Sequence, residues 1–543
     1  MMQSSFSFFP GEHSWLAPCV RSKRFISMMT LGCMLLSGGC GSSTSSTTAS
    51  TPPTLVTPSV TVTPSATSIT TAQSLSVTVS VAGSPAPAGS ILLSSGSYAS
   101  SATALSNGGV TITIPAGLLS IGTDTLTANY TPGGAGTSEY NAATGSVSVA
   151  VSSAAGLPIV TATSATYPTA GAPYEAVALS GGAVLVSVSG AQTGVQVFSP
   201  SAGGLTPTCV NTLPSSLLSE GAAVSNLTVS PNGTTLAAGI GAPGADFFNL
   251  AALETCTASG AVVSQGTIAS DQGTQEVAIT PDGKYAFVSN EYGVASGAVT
   301  EGNVGVVQLA YDSNGNVTTG STLLGQISTG GNAIAGMTLS PDGTRLYVTS
   351  EIAASGTAAS GGSNPVLART GCVQQVGGAS NINGLLTVIH VGKAESAPGP
   401  SAVLATVDAG CSPVRMSEAQ DGSTLWVAVR GDNRVLAFST GMLESNANNA
   451  LLGYANTGGT APVGIRLFHS DHLLAVANSN RFGAGPSANA TILYVANPAS
   501  ATVVQTIPTG LFPREVSIGP DGSTLYLTNY QSDTLQVISI TVQ

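Results

Sequence analysis

SPDGTRLYVTS, Ser340–Ser350, is the stretch whose reading decides the fold class. In its first half Pro341 presets a turn, Asp342 can accept local backbone hydrogen bonds and Gly343 tolerates a positive φ. Its second half alternates apolar and polar residues, as a half-buried strand does. Cousins stand at SPNGTTLAAGI (Ser230–Ile240), TPDGKYAFVSN (Thr280–Asn290), AQDGSTLWVAV (Ala419–Val429) and GPDGSTLYLTN (Gly519–Asn529). SGGAVLVSVS (Ser180–Ser189) and HSDHLLAVANS (His469–Ser479) are weaker copies. A spacing of mostly about 50 residues marks an array of similar units, each too small to bury its own apolar face.

From about Leu157 to Gln543 each unit reads as four strands, but the last has only three: EVSIG (Glu515–Gly519), STLYLTN and TLQVISI (Thr534–Ile540). The preceding unit shows what the missing fourth looks like, in ATVVQTIPTG (Ala501–Gly510). A comparable strand precedes the first repeat, so residues 157–165 are expected to pair into the last sheet and close a ring, which hides its edges. The Pro-Asp-Gly turns at Pro281, Pro341 and Pro520, with the LYVTS and LYLTN strands, resemble the YVTN-type seven-bladed propellers of secreted bacterial proteins, and more distantly the seven-bladed lactonase fold. That resemblance covers about 385 residues. It implies a seven-bladed β-propeller over residues 154–543 and says little about function.

Ahead of the repeats, residues 58–153 hold short alternating strands such as SLSVTVSVAG, GGVTITIPAG and TDTLTANYTPG. Their spacing predicts an antiparallel β-sandwich, and the segment resembles bacterial immunoglobulin-like domains, read as a spacer. The expected class is therefore all-β: an immunoglobulin-like sandwich, then a seven-bladed propeller closed by an N-terminal strand. Further upstream, Arg21, Lys23 and Arg24 precede an apolar run ending in LLSGGC, the pattern of an export signal over residues 1–39. Cys40 resembles the lipidated cysteine of bacterial lipoproteins, although Leu36 stands four residues before it where the pattern has three. An ordinary secretory signal is the alternative. Residues 40–57, nearly all Ser, Thr, Pro and Ala, read as a flexible tether. The expected setting is the cell envelope, lipid-anchored to the outer membrane.

Charged residues make up 7% of the 543, with a formal charge of −12. No basic patch offers counterion release to nucleic acid. Past the leader no apolar run approaches the roughly 20 residues of a membrane span. A monomer is expected.

Candidate chemistry is sparse. The positions just before each innermost strand hold Asn226, Glu276, Gly336, Arg415, Gly464 and Glu515, with Glu175 or its neighbour in the first unit. Propellers commonly bind ligands at the channel mouth, so Glu276, Arg415 and Glu515 are the candidate ligand-binding residues, as carboxylates and a guanidinium can orient a polar ligand. The alternative is charges that pair across a water-filled channel. Loops on the same face add Asn290, Glu291, Tyr292, Arg430, Asp432, Arg434, Arg481 and Tyr530 as a partner surface. No catalytic residue, metal site or cofactor is assigned. His469 and His472 lack a third ligand at suitable spacing, and His390 reads as structural. GIGAPG (Gly239–Gly244) lacks the following helix that a dinucleotide fingerprint needs, and the DSNGNVTTG stretch from Asp312 lacks the final acid of a calcium loop. The face on which each connection falls pairs Cys209 with Cys256 and Cys372 with Cys411 as disulfides, free buried thiols being the alternative. The leading expectation is a binding protein with a protein, glycan or small-molecule partner. Its rival is a lactonase-like hydrolase acting at the channel mouth.

Overall fold

A computed structural model describes residues 55–543 except 96–97, 120, 134–139, 153–155, 257–265, 269–271, 296–297, 370–382 and 484–486. The leader, Cys40 and Cys372 lie outside the described residues. Strands Ser59–Pro64, Leu75–Ala82 and Gly109–Ile114 form one sheet; Gly89–Ser95, Gly122–Pro132 and Ala143–Ser152 lead a second. Strict alternation makes this work: in LSVTVSVA every second residue is buried. Leu75, Val77 and Val79 of one sheet share a core with Ile91, Leu93, Leu126 and Val149 of the other.

The rest of the chain builds four-stranded antiparallel sheets in succession, one of them carrying an extra short strand. Their innermost strands are Ala172–Ala178, Leu227–Val229, Gln272–Ile279, Gly331–Leu339, Pro413–Glu418, Pro462–Phe468 and Pro513–Ile518. Each innermost strand packs against the next, and Pro513–Ile518 packs against Ala172–Ala178. The succession is thus a closed ring, which fits a β-propeller. Closure is made by Val160–Pro168, which pairs with Thr534–Val542 from Val160↔Val542 to Pro168↔Thr534. The closing strand sits three residues further along than the sequence suggests. The ladder is also extended by the Ile159 amide, 3.1 Å from the Gln543 carbonyl.

The repeated motif has a local job at each letter. In the turns the aspartate is an internal acceptor: Asp342 takes bonds from the Ser340 hydroxyl at 2.6 Å and the Thr344 amide at 3.0 Å. Asp282 does the same with the Thr280 hydroxyl and the Lys284 amide, and Asp521 takes the Ser523 and Thr524 amides. Gly283, Gly343 and Gly522 all adopt positive φ near 70°, where only glycine is unstrained. The hydroxyl late in the second strand ties neighbouring sheets together. Thr528 Oγ1 donates to the Tyr174 carbonyl at 2.8 Å and Ser187 Oγ to the Ser225 carbonyl at 2.7 Å. Thr349 Oγ1 donates to the Val414 carbonyl. Where this position holds Gly239, Ala428 or Ala477, no hydroxyl is available.

Short helices fill several third-to-fourth connections. Leu250–Thr255, Val391–Ser396 and Thr440–Ser445 are N-capped by the side chains of Asn249, His390 and Ser439. The run ADFFNLAAL, which reads as strand throughout, is split by that capping asparagine into strand Ala245–Asn249 and helix. Cys256 ends the helix and forms a disulfide with Cys209. Cys411 is likewise disulfide-bonded. The first two-sheet unit touches the ring at Gly117, whose carbonyl accepts from Thr506 Oγ1 at 3.1 Å. A side chain there would strike Val503, with Cβ 2.6 Å from Val503 Cβ.

Thr528→Val, nearly isosteric, leaves the buried Tyr174 carbonyl without its donor and should cost about 1–3 kcal/mol in denaturant unfolding. The Cys209–Cys256 bond spans 47 residues, so replacing both cysteines with serine should cost up to about 4 kcal/mol through unfolded-chain entropy. Unchanged unfolding midpoints would contradict each expectation.

Candidate functional site

Except for Asn226, which immediately precedes Leu227–Val229, the positions named from the sequence lie within the innermost strands, not just before them. Each inner strand but the second breaks register at the same place: between Pro173 and Ala176, Thr274 and Val277, Ile334 and Gly336, Pro413 and Met416, Pro462 and Ile465, and Pro513 and Val516. A bulge of this kind sets two residues against one and re-aims a side chain. Here it turns Glu175, Glu276, Arg415 and Glu515 to the ring centre and puts Gly336 and Gly464 at the equivalent points. Gly464 is needed, since a Cβ there would lie 2.7 Å from the Arg514 carbonyl and the Glu515 Cα.

The three candidates meet. Arg415 Nη1 is 3.0 Å from Glu276 Oε1, and its Nε is 2.8 Å from Glu515 Oε2. A third arm, Nη2, donates to the Tyr174 hydroxyl at 2.7 Å, and that hydroxyl donates to Gln275 Oε1 at 3.0 Å. The guanidinium of Arg514 stacks 3.6 Å above the Tyr174 ring. All of these side chains are buried. Tyr174, Gln275 and Arg514 each immediately precede a charged residue singled out from sequence. The bulge brings both members of each pair to the centre, which strand alternation would not.

A second pattern links the sheets in one arc. Glu175 Oε2 accepts from the Leu227 amide at 3.0 Å, Asn226 Oδ1 from the Val277 amide at 2.9 Å, and Glu276 Oε2 from the Met337 amide at 2.5 Å. Each side chain thus caps a backbone amide of the next sheet's inner strand with one oxygen. The second oxygen of Glu276 is spent on Arg415. Oε1 of Glu175 has no partner among the described residues, and neither has the amide nitrogen of Asn226. Glu175 and Asn226 are also the half-buried members of the group.

Electrostatics follow from burial. At half-buried Glu175, burial and then the Glu515 charge push the carboxyl up, with Glu276 adding, while the Leu227 amide and Arg415 pull it back, leaving it at about 8. Burial lifts Glu276 as well, Arg415 offsets part of this, Glu515 adds to it, and the result is about 7. Burial works against the charge on Arg415, but Glu276, Tyr174 and Glu515 outweigh it and hold the guanidinium firmly protonated. Carboxyls near neutrality can exchange protons at physiological pH.

Several of the same-face loop residues make internal contacts. Arg430 is buried against Glu351. Asp432 takes Arg369 at 3.1 Å and the Cys411 amide at 3.0 Å. Asn290 is buried between Thr274 and Asn303. Tyr530 packs on Phe512, ring centres 5.6 Å apart. His472 meets Tyr494 edge-to-face. On the opposite rim, a cleft of about 300 Å³ between two sheets is lined by Tyr347, Glu418 and the Arg345–Glu444 ion pair. Burial there raises Glu418 to about 8, the Tyr347 hydroxyl notwithstanding. No motif marks this cleft in the sequence.

No family model and no curated protein matches the chain. Among solved structures it is similar to the β-propeller domain of Cps50 (Swd1) from Myceliophteria thermophila, at 9% identity over 70% of this chain and 100% of that one, TM-score 0.46. It is also similar to a Bacteroides uniformis protein proposed to be a 6-phosphogluconolactonase, at 17% identity over 64% and 88%, TM-score 0.44. A functionally unknown protein of Desulfotomaculum acetoxidans gives 12% identity over 62% and 85%, TM-score 0.41. All three scores lie below 0.5, so the fold rests on the strand pairing itself.

The raised carboxyls make the folded chain bind more protons than the unfolded one between about pH 4.5 and 8, so their contribution to stability falls as pH rises through that window. Glu175→Gln should flatten the slope measured by urea unfolding at pH 5, 6, 7 and 8. Arg415→Met, by leaving two buried carboxylates uncompensated, should cost about 3–5 kcal/mol at pH 7 and less at pH 5. An equal loss at both pH values would mean the carboxylates do not depend on it.

Proposed function

We propose that this chain is an extracytoplasmic binding protein. In this reading a seven-bladed propeller of YVTN type is held off a membrane by a lipid on Cys40, a tether and an immunoglobulin-like spacer over residues 58–153, and takes a small polar ligand at the ring centre. The observation that carries it is the unfinished arc. Glu276, Glu515 and Arg415 complete one another, while the half-buried pair Glu175 and Asn226 next to them offers an open carboxyl oxygen and an open amide.

The second reading, a lactonase-like hydrolase, is favoured by Glu175 at about 8 and Glu276 at about 7, values suited to general acid–base work. Against it, Arg415 is held on three sides by protein groups and has less to give to a substrate.

A thermal-shift screen of the full chain against sugars, lactones, nucleotides and amino acids tests both. The expected result is stabilisation by at least one class, lost in Glu276→Gln, Arg415→Ala and Glu515→Gln. Hits unaffected by all three substitutions would move the site off the ring centre. Release of product from a stabilising lactone would favour the hydrolase.

A further inference from the structure

The two-sheet unit ahead of the ring touches it at one seam, beside the point where the closing strand begins. We infer that this unit is a clasp for the ring: docked on Thr502–Pro508, the outermost strand of the sixth sheet, it pins the start of Val160–Pro168, and its release loosens the closing ladder.

Burial singles out that strand. In Thr502–Pro508 four of seven residues are buried, whereas the outermost strands Gly204–Thr212, Thr322–Ser328, Val403–Asp408 and Leu451–Asn456 bury one residue each. Two segments from the N-terminal side converge on it. Thr506 Oγ1 donates to the Gly117 carbonyl of the two-sheet unit in a buried bond of 3.1 Å. Val504 and Ile507 share a core with Val160, the first residue of the closing strand, and with Leu157 just before it.

The seam depends on the shapes present. Gly117 has a φ of 80°, where a side chain would be strained, and its bare Cα lets the loop reach Val503, since a Cβ there would lie 2.6 Å from the Val503 Cβ. Its neighbour Leu118 belongs to the core of the two-sheet unit and also stands against the ring, where a Cβ on Gly458 would lie 3.0 Å from Leu118 Cδ2. The docking loop is thereby tied into the core of its own unit. The unit docks as a body.

Coupling to closure follows from connectivity. Seven residues, 153–159, join the end of Ala143–Ser152 to Val160, a reach of at most roughly 28 Å. Val160 pairs with Val542 at one end of the ladder. The other end, Pro168↔Thr534, runs on within a few residues into the first inner strand, Ala172–Ala178. Fraying therefore starts at Val160, and strand ends open with little free energy unless something holds them. A unit fixed on Thr502–Pro508 restrains the entering chain, and opening the first pair also requires Leu157 and Val160 to leave Val504 and Ile507.

Hydrogen exchange read by mass spectrometry on the full chain tests this, comparing wild type with Gly117→Val and Thr506→Val. Small-angle scattering of the same samples reports undocking as a larger radius of gyration. Gly117→Val should enlarge that radius and speed exchange in Val160–Pro168 and Thr534–Val542 by roughly tenfold or more, with roughly a few-fold for Thr506→Val, which removes one donor from the ring's side. Leu75–Ala82 in the unit and Gly331–Leu339 in the fourth sheet should keep their rates. An undocked unit with an unchanged ladder overturns the inference, as does a radius that Gly117→Val leaves unaltered. An equal rise in Gly331–Leu339 would mean general destabilisation and overturns it too. Should Gly117→Val unfold the unit itself, seen as fast exchange in Leu75–Ala82, the clasp is lost by that route and the ladder must still loosen; a ladder that stays protected then overturns the inference.

Discussion

The nine-residue ladder between Val160–Pro168 and Thr534–Val542 is the constraint on which the rest of the ring depends. An open succession of sheets would leave one edge at each end and no fixed distance between them. Once the ladder forms, the last inner strand is set beside the first, and Thr528 can reach the Tyr174 carbonyl. That contact places Tyr174 and Glu175 against Arg514 and Glu515. The central cluster is therefore a product of closure: half of its members come from the two sheets that the ladder brings together.

At the centre a single guanidinium is shared by carboxylates from two other sheets and a phenol from a third. Buried charge is expensive, and a well-packed apolar core could serve as well for stability alone. The arrangement lowers its own cost by letting a third carboxyl stay protonated and by spending carboxylate oxygens on backbone amides of neighbouring inner strands. Electrostatics and strand registration are thus one system. The innermost strands are aligned by the same side chains whose protonation they control.

Much of the ring was legible because it repeats. Turn residues recur with fixed roles, so Asp342 and Gly343 could be read once and transferred to Asp282 and Asp521. The missing fourth strand was visible as a deficit at Ile540, and the Cys209–Cys256 pair followed from which connections share a face. Glu276, Arg415 and Glu515 stood out as charges in a chain that has few. The bulges were not legible: a strand with one extra residue has the same composition as one without, and alternation then assigns Tyr174 and Arg514 to the wrong side. The short helices were missed for a related reason. A single capping residue such as Asn249 changes the backbone within a run that stays apolar throughout. The loop charges misled in the other direction, since Arg430 and Asp432 look solvated until Glu351 and Arg369 arrive from distant parts of the chain.

Because the closing sheet joins Val160–Pro168 to Thr534–Val542, it forms only after every sheet between them has been synthesised. While the chain is growing, the first sheet has no neighbour on its outer side and Val160–Pro168 is a naked edge, open to addition of any passing strand. No intermediate length resolves this, since every partial ring has two exposed flanks. The order of manufacture therefore opposes the order of stability: the segment made first among the ring's sheets is the last to be secured, and a product that stops before Thr534 keeps most of the sheets while lacking the strand that would make them a ring.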